Sequence, residues 1–355
     1  MNEIRLARMG GIDRGGLVAW MKETIHRAES LSRDGLVRHV IAPAGMAMEI
    51  LVDDPVLAAV YFARLAAVTQ PAPPLNRLYV LSGERSAVTV PHWQDADCPA
   101  KAFQAIAAKA NLRAAYPLIP GFWQFFDAGR RVGIQLAPNR AYLPRWDAAA
   151  PLRRHLHWLM EERGGGRLAH AATLGWQGRG LLIPGKGGTG KSSTTLAGLA
   201  SGLCTAGDDY VAITGGAAPA AHLLYRIVKQ DRDGLARIPA LSAIFAGRAR
   251  NWQKKIEFNP EEVFPDVFAE NLNLAAVMLP RIAHAAKPSI APVAPSMAML
   301  SLMSTNLHQH IGELETGMAF FAEILRRLPC FRIDLAEDAM ANGAALREFI
   351  EALPR

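Results

Sequence analysis

A glycine-rich stretch near the middle of the chain has the residue types and spacing of a phosphate-binding loop. Residues 185–192 match the pattern GxxxxGK followed by Ser or Thr, with the lysine at Lys191 and the hydroxyl at Ser192. Glycines let backbone N–H groups close around phosphate oxygens, and the N-terminus of the next helix adds a favourable dipole. Lys191 would neutralise the β- and γ-phosphates, and Ser192 would ligate the Mg²⁺ that bridges them. The stretch predicts binding of ATP or GTP with Mg²⁺, through Gly185, Lys186, Gly187, Gly188, Thr189, Gly190, Lys191, Ser192 and Ser193.

The segments on either side of this loop have the order that the motif requires. Leu181–Ile183 is a short apolar run typical of a buried strand, and Ser193–Leu203 is typical of a helix. A strand, a loop and a helix in succession make a chance glycine-rich turn a poor alternative.

Two adjacent carboxylates follow the predicted helix. Residues 207–213 read Gly-Asp-Asp-Tyr-Val-Ala-Ile, so a helix of about ten residues and a return strand would bring Asp208 and Asp209 back beside the phosphates. One carboxylate would hold or orient Mg²⁺, and the other would take the proton from an incoming hydroxyl. We assign Asp208 as the base and Asp209 to the metal, with the exchanged assignment left open. A solvated turn is the alternative, because Gly-Asp-Asp is also good turn chemistry.

Together these residues resemble the C-terminal domain of HPr kinase/phosphorylase and its relatives. A histidine, His170, lies 21 residues before Lys191, and Asp208 lies 17 residues after it, as in that family's layout. The resemblance spans about 168–335, is most specific at 168–213, and ends with a strand-like segment at 329–335. It implies an α/β, phosphoenolpyruvate carboxykinase-like nucleotide domain and a kinase activity, with His170 at the phosphoryl or acceptor site.

The same resemblance gives a role to part of a basic segment. Residues 226–255 carry eight basic and two acidic residues. Such a run is usually a solvated face, but cations here could stabilise charge on a transferring phosphoryl group. Lys229, and Lys254 or Lys255, occupy places similar to those of basic residues in HPr kinase relatives, and we assign Lys229 and Lys254 to catalysis.

The chain also departs from that family, and these departures bear on the acceptor. It has Ser193 where HPr kinases usually have Glu, and it lacks their Pro-Gly-Arg signature. We therefore expect a serine on a peptide or protein other than HPr. A small-molecule hydroxyl kinase would use the same residues. The loop also resembles that of MinD and ParA switch ATPases, where a lysine like Lys186 reaches a partner subunit, but no Asp-x-Pro switch follows it.

The length of 355 residues predicts two domains. We place an N-terminal α/β domain at 1–150 and the nucleotide domain at 151–355. In the first, the sequence predicts a strand at Met48–Val52, a helix entered at Pro55, strands at 78–83 and 87–90, and a hairpin turned at 127–130. Pro151 then opens a further helix. By analogy, this domain would recognise the acceptor or make oligomer contacts, and homo-oligomerisation is left open.

Composition indicates the cellular location of the protein and the kind of partner it binds. Charged residues interrupt every apolar run well short of a membrane span, and the first residues lack the apolar core of a secretory signal. Three separated cysteines, Cys98, Cys204 and Cys330, predict neither disulfides nor a metal site, so we expect a cytoplasmic protein. The formal charge is +7, but residues 256–355 carry 7 basic and 13 acidic residues. Because the surplus is partly concentrated in 226–255, it favours phosphates or an acidic acceptor over nucleic acid.

Overall fold

Two compact units divide the chain, and each is an α/β unit in the computed structural model. The first ends at Glu162 and the second begins at Arg163. The structure describes residues 11–12, 14–67, 75–93, 100–117, 119, 121–162, 165–245, 247–307 and 316–353. The α/β fold class expected from the sequence is confirmed.

The strands of the first unit are β1 (Gly11–Ile12), β2 (Val37–Ile41), β3 (Met48–Val52), β4 (Asn76–Ser82), β5 (His92–Trp93), β6 (Leu112–Ala114), β7 (Trp123–Asp127) and β8 (Val132–Ala137). Six of them form a mixed sheet in the order β2-β3-β4-β8-β7-β6, and β1 pairs with β5. Its helices are α1 (Arg14–Ser30), α2 (Pro55–Phe62), α3 (Gly83–Ser86), α4 (Ala100–Lys109), α5 (Arg145–Ala149) and α6 (Arg153–Glu162).

Local signals account for several of these elements. Asp54 caps α2 by accepting hydrogen bonds from Val56 N and Leu57 N, and Pro55 stands at the first turn. The hairpin of β7 and β8 turns after Asp127, as the sequence predicts. The expected strand at 87–90 is wrong, because these residues lie outside any strand of the structure.

One face of this sheet packs on helices, and the other covers a buried polar network. Leu17 and Met21 of α1 and Phe103 of α4 are fully buried against the sheet in one apolar cluster. In the network, Gln135 Nε2 donates to Asp147 Oδ2 at 2.9 Å, and Tyr61 also donates to this carboxylate. Burial raises the pKa of Asp147 to about 6, although the Tyr61 and Gln135 hydrogen bonds oppose that shift.

The second unit contains an eight-stranded sheet with a central long strand. The strands of the whole unit are β9 (Gly166–Ala169), β10 (Ala171–Trp176), β11 (Arg179–Pro184), β12 (Val211–Thr214), β13 (Ala220–His222), β14 (Val228–Gln230), β15 (Ile256–Phe258), β16 (Asn271–Ala285), β17 (Ser289–Pro292) and β18 (Cys330–Ala336), of which all but β14 and β15 belong to this sheet. Its helices are α7 (Lys191–Ala200), α8 (Arg232–Ala236), α9 (Pro239–Phe245), α10 (Pro295–Asn306), α11 (Met318–Arg327) and α12 (Ala339–Ala352).

Strand β16 lies at the centre of that sheet and connects its main path to the β17–β18 pair. The main path runs β10-β11-β16-β13-β12-β9, while β18 pairs with β16 and with β17. Strand β16 is parallel to β11 and to β18. Strands β14 and β15 form a separate antiparallel ribbon.

Alternate residues of β11 point to two different cores. Leu181 and Ile183 pack with Leu196 of α7 and Leu346 of α12 in one cluster. Leu182 packs in another cluster, with Leu302 of α10. The strand is therefore buried on both faces, which explains its continuous apolar run in the sequence. The two clusters also place α7 and α10 on opposite faces of the sheet.

Within the described part of the chain, no helix is long and apolar enough to cross a membrane. Cys204 and Cys330 are free thiols, while Cys98 lies outside the described residues.

We expect Asp147→Asn to stabilise the first unit more at pH 7.5 than at pH 4.5. The pKa of Asp147 is raised in the folded protein from its ordinary value of 3.8 to about 6. Ionising it therefore costs stability as the pH rises through this window, and the amide removes a cost of about 2–3 kcal/mol. Urea denaturation at the two pH values measures the difference, with exposed Asp34→Asn as the control. An effect of Asp147→Asn that is equal at both pH values would contradict the assignment.

Candidate functional site

The glycine-rich loop connects the end of β11 to the start of α7. Gly190 precedes the helix with φ of 101°, and a Cβ there would lie 2.8 Å from Leu335 Cδ1. A Cβ on Gly185 would lie 2.4 Å from Thr189 Oγ1. Gly190 needs glycine because its φ lies in the left-handed region, and at Gly185 the missing side chain leaves the space that Thr189 Oγ1 occupies. The loop therefore directs its backbone toward the N-terminus of α7, where N–H groups suit an anion.

Lys191 is the buried cation of this loop. Its Nζ donates to the carbonyl oxygen of Gly185 at 2.5 Å and to that of Lys186 at 3.3 Å. Burial lowers the pKa of Lys191, and Asp208 and Asp209 oppose that shift. The ammonium group lies across the loop and near both carboxylates. The Lys186 side chain, by contrast, is exposed, as are Gly187 and Gly188.

Asp208 joins the returning chain to the first turn of α7. Its Oδ2 accepts from Ser192 Oγ at 2.9 Å, and its Oδ1 accepts from Thr195 Oγ1 at 3.0 Å. Asp208 is only 1% exposed. Burial raises its pKa, with a further contribution from Asp209, against the two hydroxyls and Lys191.

The Asp-Asp pair lies in a bend between the bridging residues at Cys204 and Thr205 and strand β12, not at the end of a strand. Before the bend, Gly175 pairs with Cys204, and Thr173 N donates to Gly207 O at 3.0 Å. After it, β12 pairs antiparallel with β9. Breaks in strand pairing bend a strand and redirect side chains. The expected return strand is thus reduced to bridging residues at Cys204 and Thr205, with Asp208 and Asp209 in the following bend.

His170 occupies the matching break on the facing strand, between β9 and β10. Its Nε2 lies 2.9 Å from Asp209 Oδ1, and Lys229 Nζ donates to Asp209 Oδ2 at 2.7 Å. Burial alone would raise the pKa of Asp209, but Lys229 and His170 outweigh it and hold that pKa well below its ordinary value. Asp209 is therefore ionised at neutral pH, while its side chain keeps 28% exposure.

Two further contacts position His170. The backbone N–H of His170 donates to Asn306 Oδ1 at 2.9 Å, and its ring lies 5.2 Å from that of Tyr210. Its Nδ1 is buried and has no hydrogen-bond partner among the residues that the structure describes. These contacts fix the ring against the carboxylate of Asp209.

The β14–β15 ribbon carries the next cations. Lys229 lies in β14, and the adjacent Gln230 donates from Nε2 to Ser193 Oγ at 2.8 Å, which connects the ribbon to α7. Lys254 is exposed in the turn before β15, with φ of 62°. The neighbouring Lys255 is half-buried, and its charge contributes to the lowered pKa of Lys191. Of the two alternatives, Lys255 is the one with an electrostatic effect on the loop lysine.

Sequence reasoning missed three residues that support the site. Thr195 lies one helical turn after Lys191, so its spacing in a helix could have indicated contact with a returning carboxylate. Gln230 adjoins a predicted cation, but its contact with Ser193 depends on the position of the ribbon. Asn306 belongs to α10, and no local signal connects it with His170.

The donor atoms around Ser192 fit magnesium. No group of three or more His, Cys, Asp or Glu side chains that could hold a metal occurs among the described residues. Mg²⁺ is typically held by one or two carboxylates together with substrate phosphates and waters, so a protein cage is not needed. Ser192 and Asp208 supply the hard oxygen donors beside the loop.

Comparison with solved structures finds a weak structural similarity. The chain is similar to the Hpr(Ser) kinase/phosphatase from Coxiella burnetii, with 12% sequence identity and a TM-score of 0.27. The match covers 52% of this chain and 93% of that one. No protein-family model and no curated protein matches the chain.

We expect Lys229→Met to destabilise the second unit at pH 7 and to do so less at pH 2. Because the pKa of Asp209 is held well below its ordinary value of 3.8 in the folded protein, its ion pairing stabilises the fold above that ordinary value, and this contribution is lost as the pH falls from there through the folded pKa. We expect a loss of about 1–3 kcal/mol at pH 7, because His170 remains and the carboxylate is partly exposed.

Chemical denaturation at both pH values measures this effect. Lys287→Met, at an exposed position between β16 and β17, is the matched control. A loss that is independent of pH would mean that Lys229 acts through packing and not through its charge on Asp209.

Proposed function

We propose that this chain is an ATP-dependent phosphotransferase that passes the γ-phosphoryl group to a hydroxyl. The observation that carries the proposal is the Asp208 carboxylate, bonded at 2.9 Å to the hydroxyl that follows the loop lysine. A loop closed by glycine, a buried lysine and a hydroxyl–carboxylate pair are the parts that phosphoryl transfer requires. We also propose that the second unit is a divergent HPr kinase-like domain, as the sequence resemblance implies.

The contacts favour the exchanged roles for the two carboxylates. Asp208 is fully buried and accepts a hydrogen bond from Ser192, which suits it to hold Mg²⁺ and its bound waters. Asp209 is partly exposed and faces His170 and Lys229, which suits it to meet an acceptor. We therefore assign Asp208 and Ser192 to the metal and Asp209, oriented by His170, to the acceptor proton. The bound metal would neutralise charge that develops between the β- and γ-phosphates.

In the proposed reaction, the acceptor oxygen attacks the γ-phosphorus as its O–H proton moves to Asp209. The bond from the γ-phosphorus to the bridging oxygen breaks, and ADP leaves with that electron pair. Lys191 would offset charge on the leaving phosphates. Lys229 keeps Asp209 ionised before the acceptor binds. Its positive charge would also stabilise negative charge on the phosphoryl oxygens.

We propose a serine of a peptide or protein as the acceptor. The departures from HPr kinases at Ser193 and in the Pro-Gly-Arg signature argue against HPr itself. A small-molecule hydroxyl would meet the same groups, so a panel of both acceptor classes with radiolabelled ATP separates the two.

We expect Lys191→Ala to abolish stabilisation by Mg-ATP. A ligand at a hundredfold excess over its Kd stabilises by about 2.7 kcal/mol, a shift of a few degrees in melting temperature. Removing the buried ammonium takes away the charge that faces the phosphates. Thermal melting with and without Mg-ATP measures the shift, with Lys287→Ala as a matched surface control. An unchanged shift in Lys191→Ala would remove the whole proposal.

We expect Asp209→Asn and Asp208→Asn to fail in different ways. Asp209→Asn should keep Mg-ATP binding and lower kcat by about 10²–10⁴, because the proton acceptor is lost. Asp208→Asn should weaken the Mg²⁺ dependence of ATP binding as well as turnover. Calorimetric binding and initial rates of ADP formation separate the two effects. Retained turnover in Asp209→Asn, with turnover lost but binding intact in Asp208→Asn, would restore the assignment of Asp208 as base.

The switch-ATPase alternative makes a different prediction at Lys186. Its side chain is exposed and free to reach outward from the loop. Nucleotide-dependent dimerisation that light scattering detects in the natural chain, and that is lost in Lys186→Ala, would favour the switch over the kinase.

A further inference from the structure

An exposed loop of basic and aromatic character precedes β15. We call residues 247–255 the rim loop. Trp252 is 49% exposed there, and Ile244, at the end of α9 just before the loop, is 50% exposed. Arg248, Arg250 and Lys254 are also exposed. Exposed apolar surface that is rimmed by polar residues is a common mark of an interaction site.

The tip of the rim loop is held in one conformation by Asn251. The Asn251 side-chain oxygen accepts from Gln253 N at 2.8 Å and from Lys255 N at 3.0 Å. Its side-chain nitrogen donates to Glu257 Oε1 at 2.6 Å. Trp252 and Lys254 are thus presented by a closed turn, so little ordering is needed when a partner binds.

The rim loop lies beside the phosphate site. It leads directly into β15, where Glu257 pairs across the ribbon with Lys229. Lys229 is bonded to Asp209, and the charge of Lys255 acts on Lys191. A molecule that rests on the loop is therefore close to the carboxylates assigned to phosphoryl transfer.

Most of the loop's positive charge is available to a partner. Arg248 is paired with Glu262 and lies over the Phe245 ring at 4.9 Å. Within the described residues, Arg250, Lys254 and Lys255 have no acidic partner at salt-bridge distance. Unpaired cations around an exposed indole fit a chain that carries carboxylates together with an apolar side chain.

We propose that the rim loop docks an acidic segment of the acceptor polypeptide beside the serine that receives the phosphoryl group. This inference rests on the proposed function and adds the class of acceptor sequence. Arg250 and Lys254 pair with carboxylates of the segment, and Trp252 covers an apolar side chain. A nucleic acid is a poorer fit, because specific duplex contacts use on the order of 6–10 phosphates and the loop has three unpaired cations.

The test measures binding, so it does not depend on turnover. Three fluorescent peptides, each with one serine and one leucine, carry glutamate, glutamine or lysine at the flanking positions. Anisotropy titrations in Mg-ADP give the Kd of each peptide at low and at physiological salt. We expect the glutamate peptide to bind tightest and to weaken as salt rises.

Variants then locate the binding surface. The double variant Arg250→Glu and Lys254→Glu should weaken the glutamate peptide by about tenfold, since each pair at a surface contributes up to about a factor of five. Trp252→Ala should weaken it severalfold. The control is Lys287→Glu with Arg326→Glu, which changes the net charge equally at exposed positions away from the loop.

The outcomes separate this inference from the proposed function. Equal affinity for the glutamate and glutamine peptides, or equal weakening in the control, would overturn the inference. So would Trp252→Ala weakening Mg-ADP binding but not peptide binding, since the indole would then stack on the base. Tighter rim-loop binding of a single-stranded oligonucleotide than of the glutamate peptide would overturn it too. Charge-selective binding at the loop without phosphorylation of the serine would uphold the inference and count only against the proposed function.

Discussion

The second unit depends on the contact between one buried carboxylate and the first turn of α7. Asp208 accepts hydrogen bonds from the hydroxyls of Ser192 and Thr195, and these bonds hold the returning chain against the loop. A carboxylate buried at this depth is stable only with such donors. The position of Asp208 fixes that of Asp209, and through Asp209 those of His170 and Lys229. The glycine loop, the bend at Asp208 and Asp209 and the β14–β15 ribbon are thereby brought to one place.

Two adjacent residues of the same type are placed in opposite electrostatic environments. Burial raises the pKa of Asp208, whereas Lys229 and His170 lower that of Asp209. Sites that handle protons commonly separate the properties of neighbouring carboxylates in this way. Here the difference comes from the breaks in the two facing strands, which turn one side chain toward α7 and the other toward His170.

The sequence predicted the parts of the site that depend on short spacings. The strand before the loop, the helix after it and the return of the Asp-Asp pair follow from local patterns, and so does the helix cap at Asp54. The contacts of Asn306 with His170 and of Gln230 with Ser193 join segments 136 and 37 residues apart. No periodic pattern in the sequence predicts contacts between residues so far apart. The failed strand at 87–90 shows the same limit, since an apolar alternation forms a strand only where another strand is available to pair with it.

The backbone of Asp209 has a consequence for the variants that arise naturally. Its φ of 79° lies in the left-handed region, where glycine and asparagine are the most readily accommodated residues. Both are reached from an aspartate codon by changing one base. Single-base errors at this codon therefore include two that remove the carboxylate while suiting the local chain geometry. Such alleles would fit the local backbone, but the buried Lys229 would lose its ion pair, so their cost would fall on the charge balance of the site and not on the chain geometry.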